Sequence, residues 1–389
     1  KNINSYVYPH YPMEKIMDTM RPFYEKAVAD AKAADTPEKR RGVGIAWGGF
    51  NVTEGGGDSA EVALELMPGN KIRKYDTWHA MGQGATTGSL VVTLEALKEM
   101  HLTPEDIQLI QNDTKTCPDT GMAGASRSLY MDGNATIIAA NKLLAAMRKE
   151  DGTLRTYDEM KAEGIETKYL GRYETNTTPG LCRLDPNTGI GDPTPAFTYC
   201  LNLAEVEVDT KTGKTTVLKF TCVDFVGRIG NIDAVNGQAY SGIMHGIGFA
   251  LKEDYADVKK HANMFGAGTS YIKDVPDDID LIHIDGAISD GPFGSSGASE
   301  AFQASGHCAV LNGIYNACGV RIHEIPALPE KVKAGLDAIA KGEKPYEPKK
   351  YFLGSDMYEE LENIKENPVQ VGTQSFYVSL DDPTAERPF

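Results

Sequence analysis

Asp290-Gly291-Pro292-Phe293-Gly294-Ser295-Ser296-Gly297-Ala298-Ser299-Glu300 reads as a glycine- and serine-rich loop that delivers one carboxylate to the start of an apolar segment, Ala301 to Ala317. Glycines at 291, 294 and 297 let the backbone take positive φ and come close to a neighbour or a ligand. A carboxylate at a helix start meets the positive end of the helix dipole, which favours its charged form. Two readings compete. In one, Ser299 caps a helix and Glu300 decorates its first turn; in the other, Glu300 is a reacting group set in a cradle of small side chains. The rest of the chain decides between them.

The chain has 389 residues, enough for two or three subdomains. Its formal net charge is −16, from 55 acidic and 39 basic residues. That balance argues against binding a nucleic-acid backbone or an anionic membrane surface, each of which needs a basic face. No apolar run approaches the roughly 18 residues of a membrane span, and no signal-peptide pattern opens the sequence. Cysteines at 117, 182, 200, 222, 308 and 318 form no Cys-x-x-Cys pair. No zinc or iron–sulfur ligand set is visible, and a reduced, cytoplasmic setting is the expectation. Cys308 and Cys318 are read as packing residues.

Along the chain, three- and four-residue spacing predicts a helix over 12–35, kinked or restarted at Pro22. Strands follow at 41–50 and 59–66, with a turn at 67–70. A helix over 89–100, a short helix opened by Thr103-Pro104, a strand at 107–111 and a helix over about 133–149 come next. Residues 150–195 are polar and turn-rich and read as an irregular excursion. Alternation at 196–208 and 215–226 around Asp209-Thr210-Lys211-Thr212-Gly213-Lys214 predicts a β-hairpin. The helix over 233–252 contains Gly237, Gly242, Gly246 and Gly248, each costing about 1 kcal/mol against alanine. Their presence points to close packing against another backbone or a ligand. A strand at 279–284 and a helix at 328–340 complete the body. The aromatic-rich segment 343–389 is expected to wrap over the body or a partner.

Three loops share one character, small residues around a single amide, hydroxyl or carboxylate: Met81-Gly82-Gln83-Gly84, Gly121 to Ser128, and Gly294 to Glu300. None has the spacing of a Walker loop or a dinucleotide fingerprint. Together they fit backbone N–H groups and hydroxyls lining an anionic, polar cofactor, with Ser126, Arg127 and Ser128 suited to a phosphate or diphosphate.

These stretches carry a resemblance. Met81-Gly82-Gln83-Gly84, Asn112-Asp113-Thr114 with Gly124-Ala125-Ser126-Arg127, Asp224 to Glu253, and Ile272 through Asp290-Gly291-Pro292-Phe293-Gly294 to Pro329-Glu330-Lys331-Val332 resemble the C-terminal half of the molybdenum-binding subunit of the xanthine oxidase family. The similarity covers about residues 40–335 and is strongest to bacterial aldehyde oxidoreductases. It implies an α+β fold of mixed sheets with packed helices in two intertwined subdomains, 1–150 and 151–342, with 343–389 as an extension. It implies molybdopterin, in the cytosine dinucleotide form, carrying molybdenum that no protein side chain ligates directly. Glu300 is implied as general base; Met81, Gly82 and Gln83 as the loop facing the pterin and the metal's oxo ligand; Ala125, Ser126, Arg127 and Ser128 as the grip on pterin and phosphate. Gln238, His245 and Ser299 complete the implied cofactor-binding set.

Two departures stand out. His245 occupies a position where the family usually has glutamine, and Ser299-Glu300-Ala301-Phe302 replaces the usual Gly-Glu-Leu-Pro context of the base. Both bear on the substrate pocket more than on the reaction class. The resemblance also implies partners: the first half of the molybdenum subunit, a [2Fe-2S] subunit and an FAD subunit, which would carry the electrons away. Aldehyde oxidation to a carboxylate with water-derived oxygen is the implied activity. Hydroxylation of an N-heterocycle such as a purine or nicotinate, and a scaffold subunit without catalysis, are the alternatives.

Overall fold

Among the described residues of the computed structural model, the chain builds two four-stranded mixed sheets with helices packed on them. The structure describes residues 11–343 apart from 54–56, 112, 176–186, 188–193, 258 and 289, together with 363, 366 and 367. In chain order the elements are α1 (Met13–Ala34), β1 (Lys39–Val52), β2 (Ser59–Met67), β3 (Lys71–Asp76), α2 (Ala85–Ala96), β4 (Ile107–Gln111), α3 (Ser128–Met147), α4 (Tyr157–Ala162) and β5 (Lys168–Glu174). There follow β6 (Ala196–Asp209), β7 (Thr215–Phe225), α5 (Ile232–Leu251), α6 (Met264–Ala267), β8 (Asp278–His283), α7 (Ser299–Gln303), α8 (Gly306–Cys318) and α9 (Pro329–Ala340). The body ends at Pro345 and a separate unit starts at Tyr346; the expected wrapping of 343–389 lies outside the described residues. No helix among the described residues is long and apolar enough to cross a membrane.

One sheet runs β1-β6-β7-β8, antiparallel except for the β7/β8 pair; the other runs β4-β3-β2-β5, with β3/β4 parallel. Each sheet draws strands from both sides of residue 150, since β1 joins β6 and β5 joins β2. The period of two along β6 explains why its sheet is covered on both faces. Cys200, Ala204, Val206 and Val208 point into the core shared with α5 and α8. Leu201 and Leu203 point to the opposite core, under α1.

β1 carries the same alternation. Val43, Ile45 and Trp47 pack toward α1, while Gly42 and Gly44 face α8. A Cβ on Gly44 would fall 2.0 Å from the Ala309 carbonyl oxygen, so the helix lies directly on the strand. Asn312 and Asn316 of α8 then donate to the β1 carbonyls of Ile45 and Val43, at 3.0 and 2.7 Å.

Several elements differ from expectation. β3 was not foreseen, because Lys-Ile-Arg-Lys-Tyr-Asp reads as surface. Lys74 and Asp76 are instead fully buried, with Lys74 Nζ 2.6 Å from Asp132 on α3 and 3.1 Å from Asp76. The excursion at 150–195 contains α4 and the edge strand β5, whose polar residues hide its period. α3 begins at Ser128 and α2 at Ala85, earlier than the apolar spacing indicates. Pro22 lies inside α1. The apolar run after Glu300 is two helices, broken between Gln303 and Gly306.

The buried triad makes the sharpest stability test. Asp76 accepts from Ser89 (2.6 Å) and Gln111 (2.7 Å) as well as Lys74, whereas Asp132 Oδ2 has no donor. Burial pushes the Asp132 carboxyl up to about 7 despite Lys74. Its folded value lies above its unfolded one, so between those values the folded chain holds a proton that the unfolded chain has released. On this group's account stability therefore falls as pH rises. The thermal midpoint of the native chain should fall relative to that of Asp132→Asn between about pH 5 and about pH 7.5, and a relative rise would contradict the assignment. Lys74→Met, which strands two buried carboxylates, should cost about 3–5 kcal/mol by denaturant unfolding.

Candidate cofactor site

Four segments that each run into a helix surround a cavity of about 600 Å³. They are 78–84 before α2, 123–127 before α3, 226–231 before α5 and 292–298 before α7. The first N–H groups of a helix have no partner within it and carry its positive dipole end. α2 and α3 start without a side-chain cap, from Gly84 and Arg127. α5 starts at Asn231, whose side chain accepts from Ala234 N. The convergence brings the starts of α2, α3 and α5 to one pocket in a chain of net charge −16. It is the arrangement that anionic groups bind.

The charged side chains on the cavity wall are Glu95, Arg228 and Glu300. Glu300 is half-buried at the start of α7, and the Ser126 hydroxyl donates to its Oε2. Ala125 and Ser126 both adopt φ 49°, a left-handed conformation that costs a non-glycine residue about 1–2 kcal/mol. Two contacts hold them there: Thr53 N donates to the Ala125 carbonyl at 3.0 Å, and Gly297 packs on the Ser126 carbonyl. A Cβ at 297 would lie 1.8 Å from that oxygen. α7 is set from behind, because a Cβ at Gly242 of α5 would meet Phe302 at 2.6 Å. The glycines in α5 thus bring two backbones together at 242.

Met81, Gln83, Ser126, Ser128, Gln238, Ser299 and Glu300 all line this one cavity. Gln83 also braces its own loop, donating to the His79 carbonyl at 2.6 Å and accepting from Met81 N at 2.5 Å. Gly82 and Ala125 shape their loops and contribute no wall.

Arg127 and His245, expected to bind the cofactor, do not line the cavity. The Arg127 guanidinium is 2% exposed and bidentate to Asp58, at 2.6 and 2.8 Å. Its remaining N–H groups donate to the carbonyls of Thr120, Met122 and Ser59. All five donors are committed inside the protein, so Arg127 shapes the loop. His245 is exposed, two turns beyond Gln238 on α5, with its ring 6.3 Å from Phe249, and does not line the cavity.

Sequence reasoning missed Arg228, the cation that does line the cavity, together with Asn231 and Ser296. Val226-Gly227-Arg228-Ile229-Gly230-Asn231 was readable as a strand, a glycine-flanked loop and a helix cap. Ser296 is 5% exposed, lines the cavity, and its Oγ has no hydrogen-bond partner. A buried hydroxyl of this kind is a donor waiting for a ligand acceptor. Among the described residues no group of three His, Cys, Asp or Glu side chains is placed to hold a metal ion. The donors present fit a large anionic organic cofactor: helix N-termini, serine hydroxyls, a glutamine and one arginine.

Comparison with known proteins agrees. Residues 20–276 match the molybdopterin cofactor-binding domain family. The chain is 39% identical over 328 residues to the aldehyde oxidoreductase of Megalodesulfovibrio gigas, which covers 84% of this chain and 36% of that protein. It is 28% identical over 277 residues to a probable hypoxanthine oxidase of Escherichia coli (strain K12), covering 67% of this chain and 29% of that protein. The crystal structure of the aldehyde oxidoreductase from Desulfovibrio desulfuricans superposes with a TM-score of 0.82 at 42% identity, over 85% of this chain and 36% of that one. The chain thus spans about a third of the length of these relatives. On fold, cavity and likeness alike, this chain belongs to the molybdopterin cofactor-binding domain family and shares the α+β architecture of the xanthine oxidase-type aldehyde oxidoreductases.

Proposed function

We propose that this chain forms the cofactor-holding part of a molybdenum hydroxylase that oxidises an aldehyde to a carboxylate with oxygen derived from water. The observation that carries the proposal is Glu300, a carboxylate on the wall of a cavity where four helix-leading loops meet, lined by serines, Gln83, Gln238 and Arg228 among apolar side chains such as Trp78, Val92 and Phe293. When bound, the molybdopterin supplies the metal that accepts two electrons from the substrate. The chain's own residues bind, orient and move a proton.

Binding falls to the first-turn amides of α2, α3 and α5, with Ser128, Ser296, Arg228 and Gln238 around them. We assign the anionic end of the cofactor, in its cytosine dinucleotide form, to these groups, Arg228 taking the charge that Arg127 cannot. Glu300 accepts the proton that water-derived oxygen must lose before it joins the substrate carbon. The Ser126 hydroxyl fixes one carboxylate oxygen of this cavity-lining residue. The neighbouring Ser299 adds a hydroxyl to the same wall. A carboxylate positioned in this way is a competent general base, a role typically worth 10²–10⁴-fold in rate.

The proposal includes partners: the remaining part of the molybdenum-binding polypeptide, to complete the substrate funnel, and iron–sulfur and flavin-bearing chains to take the electrons. The identity to an aldehyde oxidoreductase over most of the chain favours aldehydes over N-heterocycles.

Glu300→Gln in the assembled enzyme should lower turnover at least about 100-fold while molybdenum and pterin content stay unchanged. Undiminished turnover would remove the general-base role and leave a scaffold. A panel of aldehydes assayed beside purines and nicotinate should show turnover of the aldehydes; turnover confined to the heterocycles would overturn the substrate class.

A further inference from the structure

Two residues before the cavity-lining Val226, at the carboxyl ends of β7 and β8, lies a polar cluster that the proposed chemistry does not use. Asp224 ends the register of β7 and pairs across the parallel ladder with His283 of β8. Its side chain is fully buried, and its Oδ2 accepts from His283 Nδ1 at 2.7 Å. The opposite ring nitrogen, Nε2, lies 2.8 Å from Oδ1 of Asn236 on α5. The imidazole, 12% exposed, is therefore held on both edges. Burial raises the Asp224 carboxyl above its ordinary value, and His283 works against that rise.

The cluster's place in the chain gives it meaning. Between Asp224 and Asn236 the backbone leaves the sheet, forms the loop 226–231 and enters α5. Val226, Arg228, Asn231, Ala234 and Val235 of this span line the cavity. The same loop grips the segment that leads to Glu300: Arg228 N donates to the Gly294 carbonyl at 2.8 Å, and Gly227 bridges Ser295. A Cβ at Gly227 would lie 2.7 Å from that Gly294 oxygen, so the two backbones have no slack.

We propose that Asp224, His283 and Asn236 form a clasp that sets the α5 wall of the cavity, with His283 as a positioning residue spanning sheet and helix. The inference rests on the reading of that cavity as the cofactor site. Buried side-chain hydrogen bonds across a loop restrict its backbone in the way a covalent cross-link would, but weakly and reversibly. His283 does not line the cavity; it acts through the amides and side chains of 226–238.

Hydrogen exchange on the purified protein tests this, with molybdenum and pterin content measured in parallel. Asn236→Leu keeps the side-chain volume and removes the contact with His283. Asn236→Asp keeps an oxygen in the same place. Should the leucine variant fail to fold, Asn236→Ser removes the contact by truncation. Amides of 226–238 should exchange about tenfold faster in the leucine or serine variant, while those of β4 stay unchanged, and the aspartate variant should restore protection. The same variants should lose cofactor on dialysis, and the aspartate variant should retain it. Unchanged exchange at 226–238, or an equal rise throughout the chain with no rescue by aspartate, overturns the clasp. If the wild-type protein carries neither molybdenum nor pterin, the cofactor reading fails, and the exchange pattern alone still upholds or overturns the clasp.

Discussion

The approach of Gly297 to the Ser126 carbonyl sets the geometry on which the site depends. No side chain fits between these two backbones, and the closeness brings a hydroxyl from one loop onto a carboxylate from the other. Ser126 reaches Glu300 from a left-handed backbone that it would not adopt alone. The surrounding structure supplies what keeps it there: Asp58 and three carbonyls around Arg127 on one side, Thr53 on Ala125 on the other. Strain of this kind persists only where neighbours over-determine it, and it gathers at functional sites.

A second constraint is electrostatic. The chain as a whole is acidic, yet the cavity is proposed to receive an anionic cofactor. Helix N-termini reconcile the two, because partial charges on backbone amides act over short range and need no basic side chains. In the proposed reading, Arg228 adds its charge to the first-turn amides of α2, α3 and α5. Glu300 sits at the start of α7, within the same field of donors. The sheets place these helix starts side by side: α5 follows β7 directly, α2 follows β3, and α3 follows β4 after the loop 113–127.

Much of this was legible in the sequence where a local pattern has one physical solution. The hairpin around Asp209 to Lys214 alternates cleanly, and β4 and the start of α9 carry their own boundary signals. The glycines of α5 announced a close backbone neighbour, which is α7 at Gly242. Other features depended on distant partners. β3 looks like surface until Asp132, 58 residues on, accepts a hydrogen bond from Lys74. Arg127 has the right chemistry for a phosphate, but Asp58, 69 residues earlier, takes its guanidinium. Arg228 was passed over because its loop has no fingerprint spacing. Side-chain type names a capability; only the fold says which partner claims it.

The most direct measurement of the account is the molybdenum and pterin content of the protein purified with its natural partners from cells grown with molybdate. The account predicts molybdenum and pterin bound in equal amounts, close to one of each per chain, and their loss together when the cavity wall is disrupted. Protein that is folded and assembled yet carries neither would contradict it.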